Sequence, residues 1–325
     1  MSDVVSINPT AKISGNVVRP FQLEVSSLRG RIARFDNVLD RILDAHDYPE
    51  VVSQLLAETI TLCSLLSSML KYEGVFTLQT QGDGPVSMLV ADMTSDGAIR
   101  GCASFDEERV AKMQDDILES GAPLPLLLGK GYIAFTVDQG QDTDRYQGIV
   151  ELKGKSLMEC VQHYFTQSEQ IDTGIKMAVG REGGKTDGNW RAAGIMLQQM
   201  PEEGGEHIGA PNKEISKPPV VSNRDEDDWR RAMAFLESCK DEELLAADLH
   251  GHDILIRLFH EEGIRVFDPI ALRHECRCSR EKVENIVRMM DQEERDDMAR
   301  DDDLSMTCEF CSTTYKLDPD LLNAE

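Results

Sequence analysis

Apolar positions recur at helical spacing through residues 49–69, where Val52, Leu55, Leu56, Thr59, Leu62, Cys63 and Leu66 share one face of a predicted helix. The pattern then changes to that of strands. Residues 75–81 are rich in strand formers, Gly82-Asp83-Gly84-Pro85 is a turn, and residues 86–93 form the returning run. Ser95-Asp96-Gly97 turns the chain once more into 98–104, which predicts a β-meander. Residues 131–137 and 146–152 predict a further strand pair. Ser156 is placed as a helix N-cap, followed by the stripe Leu157, Cys160, Val161, Tyr164 and Phe165. Residues 175–179 and 195–197 predict a hairpin around a glycine-rich loop. Runs of strands with segregated helices predict an α+β fold rather than a doubly wound one.

Past residue 200 the patterning weakens. Residues 201–228 are rich in proline, glycine and charge, as in a linker. Residues 225–228 crowd acidic groups at a helix start, where the helix dipole favours them. Trp229, Ala232, Met233, Leu236 and Cys239 continue as a helical stripe, and Leu255, Leu258 and Phe259 predict a second short helix. Segments so short and charged need a neighbour to pack against. Residues 264–267 predict a strand stopped by Asp268-Pro269. Ser279 is placed as an N-cap before Val283, Ile286, Val287 and Met290 at helical spacing. Residues 291–303 are strongly acidic and expected to be solvated, and 313–317 predict a last strand. The expected organisation is therefore an N-terminal α/β-meander core over 1–200, a charged linker with short amphipathic helices over 201–262, and a small C-terminal module over 263–325. That module has too little apolar surface to fold firmly alone.

Composition narrows the setting. With 325 residues, 41% hydrophobic and 6% aromatic, the chain is long enough for two or three cores. No apolar run approaches the roughly 20 residues that span a bilayer. Residues 1–9 lack the basic start and apolar stretch of a secretory signal. The cytosol is thus the expected location, where thiols stay reduced and paired cysteines read as metal ligands. A net charge of −25 and the absence of a lysine- or arginine-rich block oppose nucleic-acid binding.

Cysteine spacing carries the chemistry. Cys276-Arg277-Cys278 and Cys308-Glu309-Phe310-Cys311 are two close thiol pairs on either side of one small folding unit. That arrangement surrounds one tetrahedral zinc ion, each pair giving two thiolates from a tight turn. Folding of the module is then expected to depend on the metal. Arg273, Arg277, Arg280 and Lys282 flank the first pair and would favour its thiolate form, the form that oxidants attack. A sulfenic acid formed on one thiol could be resolved to a disulfide by a close partner, which would remove metal ligands. Spacing alone favours the plainer alternative, a zinc-ribbon interaction module with a permanent structural zinc. Cys63, Cys102, Cys160 and Cys239 are expected to be buried packing residues. His260 and His274 are nearby alternative ligands that four thiols make unnecessary. Gly82-Asp83-Gly84-Pro85 lacks the lysine and helix of a phosphate loop.

The cysteine pairs and further blocks together resemble the bacterial redox-regulated chaperone family called heat-shock protein 33. The blocks are His46-Asp47-Tyr48-Pro49, Leu78-Gln79-Thr80-Gln81-Gly82-Asp83-Gly84-Pro85, Arg145-Tyr146-Gln147-Gly148, Tyr164-Phe165-Thr166-Gln167-Ser168-Glu169-Gln170, Ala193-Gly194-Ile195-Met196-Leu197-Gln198 and Leu258-Phe259-His260-Glu261-Glu262. They occur in family order over nearly the whole chain. The resemblance implies an ATP-independent holdase and no enzyme. It implies a zinc-bound, poorly active monomer when reduced, with Cys276, Cys278, Cys308 and Cys311 as ligands. It implies disulfides Cys276–Cys278 and Cys308–Cys311 on oxidation, then zinc release, linker unfolding, a homodimer and capture of unfolding client proteins. Residues 201–228 depart from the family pattern in length and proline content. Two other functions compete. A nucleic-acid-binding zinc ribbon is opposed by the charge, and a thiol oxidoreductase using Cys308 and Cys311 lacks a thioredoxin-like βαβ context.

Overall fold

A computed structural model of the chain describes residues 15–26, 28–70, 72–113, 123–140, 146–184, 187–199, 223–298 and 304–319. Two sheets enclose one helix. In chain order the first elements are β1 (Val17–Leu23), β2 (Arg29–Phe35), α1 (Asn37–Leu43) and α2 (Glu50–Ser67). The meander β3 (Val75–Gly82), β4 (Val86–Thr94) and β5 (Ala98–Phe105) follows where it was expected. Then come α3 (Glu107–Lys112), α4 (Pro123–Leu127), β6 (Gly131–Asp138), β7 (Tyr146–Glu151), α5 (Leu157–Tyr164) and the hairpin β8 (Thr173–Arg181) with β9 (Trp190–Gln198).

Helix α2 is buried on all sides, whereas its sequence predicts a single apolar face. From Leu55 to Ser67 every residue but Glu58 is buried, because the helix packs on both sheets at once. Its hydroxyls tolerate this by donating to their own helix: Thr59 to the Leu55 carbonyl and Thr61 to that of Ala57, each at 2.8 Å. Against the sequence expectation, α2 is, among the described residues, long and apolar enough to cross a membrane, but 78% of it is buried inside the protein. The Glu58 carboxyl is enclosed although the residue keeps some surface, and burial pushes it up to about 7. An unfolded chain ionises this group near 4.5. Its contribution to stability is therefore full below that pH and is lost as pH rises towards 7. Urea midpoints of Glu58→Gln should accordingly fall less than the parent's between mildly acidic and mildly alkaline buffer. An equal fall would show that Glu58 does not carry this dependence.

Strands β1 and β2 and helix α1 had no counterpart in the sequence pattern. Pro20, Arg29, Arg31 and Arg34 interrupt the apolar alternation there. The structure gives two of these arginines carbonyl partners. Arg31 donates to the Ser68 carbonyl at the end of α2, at 3.1 Å. Arg34 donates to the carbonyls of Leu249 and Ala246, the latter at 2.7 Å.

The predicted linker lies outside the described residues up to 222. From there three helices cross the first sheet: α6 (Asn223–Ser238), α7 (Asp241–Leu245) and α8 (Gly251–Phe259). The predicted stripe supplies Ala232, Leu236 and Cys239 to a core shared with Leu23, Ile32, Ile195 and Leu197 of the sheet. The chain then threads both sheets. β10 (Ile264–Val266) and β11 (Ile270–Ala271) pair with β1, and β12 (Arg273–His274) runs parallel to β5. The first sheet thus has the order β10-β1-β2-β9-β8, with β11 also on β1. The second has the order β12-β5-β4-β3-β6-β7.

Beyond β12 lie α9 (Arg280–Met289), α10 (Gln292–Met298) and the ribbon β13 (Ser305–Thr307) with β14 (Thr314–Lys316). The acidic run expected to be solvated is helical in part. Asp291 and Glu294 cap α10 reciprocally, each carboxylate accepting the other's amide at 2.9 and 3.2 Å. Only Val283, Val287 and Leu317 are buried in this unit's own apolar cluster, among the described residues.

Candidate metal centre

Cys276 and Cys278 leave β12 and run into α9, whose N-cap is Ser279 as its sequence predicts. The Ser279 hydroxyl accepts the Lys282 amide at 3.3 Å. Cys308 and Cys311 sit in the tight turn between β13 and β14. The amides of Cys311 and Ser312 both donate to the Cys308 carbonyl, at 3.3 and 2.8 Å, and the Cys308 amide donates to the Thr313 carbonyl at 3.0 Å. Ser312 takes a left-handed φ of 53° to close the turn.

All four sulfurs lie within 4.8 Å of one another. Cys276 Sγ is 3.7 Å from Cys308 Sγ, and Cys278 Sγ is 3.5 Å from Cys311 Sγ. Four thiolates on a tetrahedral ion with bonds of about 2.3 Å stand about 3.8 Å apart, so the group could hold a metal ion with little adjustment. Hydrogen bonds favour the thiolates unequally. Burial pushes the Cys308 thiol up to about 12. Burial also opposes ionisation of Cys311, but the hydroxyl and amide of Thr313 outweigh it and bring that thiol down to about 7. Cys278 Sγ, 3.1 Å from the Tyr315 hydroxyl, holds that phenol up to about 12. Four thiolates this close repel one another strongly, and a divalent cation at their centre removes that cost. A set of four sulfurs suits a soft, tetrahedral ion.

The flanking cations lie elsewhere than expected. Arg273 pairs with Asp96 at 2.6 Å and Glu275 at 2.9 Å, and Arg280 donates to the Lys316 carbonyl at 2.6 Å. Lys282 Nζ donates to the Arg277 carbonyl at 2.6 Å, and Arg277 pairs with Asp92 at 2.7 Å. The guanidinium beside Cys276 belongs to Arg100 of β5, with Nη1 3.7 Å from Sγ. Its planar face covers the Phe310 ring at 3.7 Å from the centroid. Another core contact comes from His46, whose Nδ1 is 3.1 Å from Ser312 Oγ and whose ring stacks on Tyr48.

The remaining candidates are distributed as follows. Cys63, Cys160 and Cys239 are buried in the apolar interior, as expected. Cys102 is buried too, but strand register turns it to the same face of the second sheet as Arg100, beneath the cysteine module. His260 and His274 do not join the sulfur group. Gly82-Asp83-Gly84-Pro85 is a turn packed on the 127–131 loop. A Cβ at Gly82 would meet the Leu128 carbonyl at 1.9 Å, so only glycine fits. Asp92, Arg100 and Tyr315 escaped the sequence reading, and His46 entered it only as part of a family-like block. Asp92 had one signal: it is the sole charge in the apolar run 86–93.

Known proteins resemble the chain along its length. The sequence model of the Hsp33 protein family matches residues 16–318. A 33 kDa chaperonin of Caulobacter vibrioides is 36% identical over 317 residues, 97% of this chain and 99% of its own. The 33 kDa chaperonin of Escherichia coli O7:K1 is 34% identical over 296 residues, 91% of this chain and 89% of its own. In fold, the chain resembles the crystal structure of the 33 kDa chaperonin (heat shock protein 33 homolog) from Thermotoga maritima. The TM-score is 0.73, with 95% of this chain and 97% of that one covered at 19% identity.

Proposed function

The chain belongs to the Hsp33 family, and from that premise we propose that it is a redox-regulated, ATP-independent holdase that captures unfolding proteins under oxidative stress. The observation that carries this reading is the group of four free thiols within 4.8 Å, in a module with almost no apolar core. In the reduced chain Cys276, Cys278, Cys308 and Cys311 hold one zinc ion. Bound zinc supplies the cross-link that this small module needs in order to stay folded.

The switch works through the thiols. A thiolate attacks a peroxide-class oxidant, taking one oxygen as a sulfenic acid and releasing hydroxide. The neighbouring thiol then attacks the sulfenic sulfur and displaces its oxygen, which leaves as water, and a disulfide forms. Each pair, Cys276–Cys278 and Cys308–Cys311, gives up two electrons and two ligands. Loss of the cross-link loosens the module and then helices α6–α8, which it follows in the chain. Those helices cover Leu23, Ile32, Ile195 and Leu197 of the first sheet. Uncovered, this apolar face and the stripe around Trp229 and Leu236 become the surface for unfolded clients. The division 1–200, 201–262 and 263–325 is then one of roles: scaffold, cover and sensor. The reduced form is a monomer and the oxidised form a homodimer, acting in the cytoplasm, where thiols are otherwise kept reduced.

Light scattering from a heat-unfolding client enzyme tests the reading. The zinc-loaded reduced chain should leave the scattering unchanged, and the chain treated with peroxide at mildly raised temperature should suppress it. Equal suppression by both forms would mean a chaperone without redox gating. No suppression by either would leave the cysteines as a permanent structural zinc site and end the holdase reading.

A further inference from the structure

Both cysteine pairs, the irregular Cys276–Cys278 segment and the Cys308–Cys311 turn, rest on one ion pair of the core. Ala91 and Met93 of β4 join the core around α2, so strand alternation turns Asp92 to the opposite face of the second sheet. Asp92 is nevertheless only 4% exposed. Its cover is the cysteine module. Asp92 stands directly across from Arg100 of β5 in the sheet register, and Arg100 Nε donates to its two oxygens at 3.2 and 3.0 Å. Arg277, the residue between Cys276 and Cys278, brings Nη2 to 2.7 Å from Asp92 Oδ1. Phe310, inside the Cys308–Cys311 turn, lies flat under the Arg100 guanidinium. One residue from between the thiols of each pair is thus held by a different half of the same dyad.

We propose that Asp92 and Arg100 form a docking receptor on the core sheet that holds both cysteine pairs, so that closing either disulfide releases the module from the core. A disulfide draws together two sulfurs that now stand apart as free thiols, and the residue between them must turn to allow it. Arg277 then loses its line to Asp92, or Phe310 its place under Arg100. The carboxylate is buried and its second arginine comes from the module, so separation costs the desolvated pair its partner. Metal retention and docking are therefore linked: each makes the other more favourable. The inference deepens the redox reading above and rests on it for the trigger alone.

Two single variants approach the contact from opposite sides. Arg277→Gln alters the module, and Asp92→Asn alters the core side of the contact while leaving all four thiols in place. Hydrogen exchange on the reduced, zinc-loaded full chain reads docking without any oxidant. Amides of β12 and of residues 98–100 should exchange about tenfold faster or more in each variant, the scale of one charge-assisted hydrogen bond. Zinc release under peroxide, followed with a chromogenic chelator, should quicken in both. Arg277→Lys should restore much of the parent behaviour, and the double variant should be no worse than the worse single one. Should Asp92→Asn fail to fold, Arg277→Gln, altered at a side chain 24% exposed, still decides. Exchange and zinc release unchanged in Arg277→Gln, or additive effects in the double variant, would overturn the proposal. If the oxidised parent fails to suppress client scattering, the holdase reading falls while the exchange result still judges the dock.

Discussion

Cys308→Ser should leave the reduced chain without a retained metal ion and with residues 276–317 exchanging their amides as an unfolded segment. A hydroxyl is a poor ligand for a soft ion beside three thiolates. The module has little to fall back on. Val283, Val287 and Leu317 are its buried apolar cluster among the described residues. In zinc-finger peptides a structural zinc contributes on the order of 10–16 kcal/mol to folding, far more than three such side chains can replace. The core should be spared, because α2 and the strands around it form a separate apolar cluster. Metal content per chain and exchange mapped along the sequence are the two measurements. A serine variant that still holds one ion per chain, with the module protected, would show that this cluster is not the cross-link.

The second large effect is expected at Phe259. Its side chain is fully buried at the end of α8, with its ring centroid 6.2 Å from that of Phe21 on β1 and 6.5 Å from that of Phe235 on α6. It therefore joins two covering helices to the sheet they cover. Phe259→Ala should cost about 3–5 kcal/mol, a large share of the roughly 5–15 kcal/mol that stabilises a folded protein. The loss falls on the helices, because β2 and β9 keep their pairing and their contacts with α2. Local opening then becomes accessible without oxidation. The variant should retain its zinc yet suppress client scattering in the reduced state. Ile256→Ala, at a position 43% exposed on the same helix, should change neither property. A Phe259→Ala chain that stays inactive until oxidised would separate client capture from the uncovering of this sheet.

The cysteine spacing was readable because the thiols of each pair are local in sequence. The N-cap Ser279 and the strand after the Cys308–Cys311 turn are local signals too. The stripe of α6 was readable for a similar reason: a helix shows its buried face every three or four residues. Helix α10 carried a signal that the acidic composition masked, since Asp291 and Glu294 form a capping box.

What the sequence determined by itself, then, is the two thiol pairs, the β-meander and the amphipathic cover, all set by neighbours along the chain. Tertiary structure alone decided the rest. That α2 is buried on every side follows from two sheets meeting on it, which its own periodicity does not record. Arg34 serves carbonyls more than two hundred residues away. Residues 264–267 read as a short strand stopped at Asp268-Pro269, and the pairing of 270–271 and 273–274 is set only when β1 and β5 offer them edges. Asp92 becomes intelligible only when Arg100 and Arg277 are brought to it, because a buried charge is defined by partners that folding, not sequence order, makes adjacent.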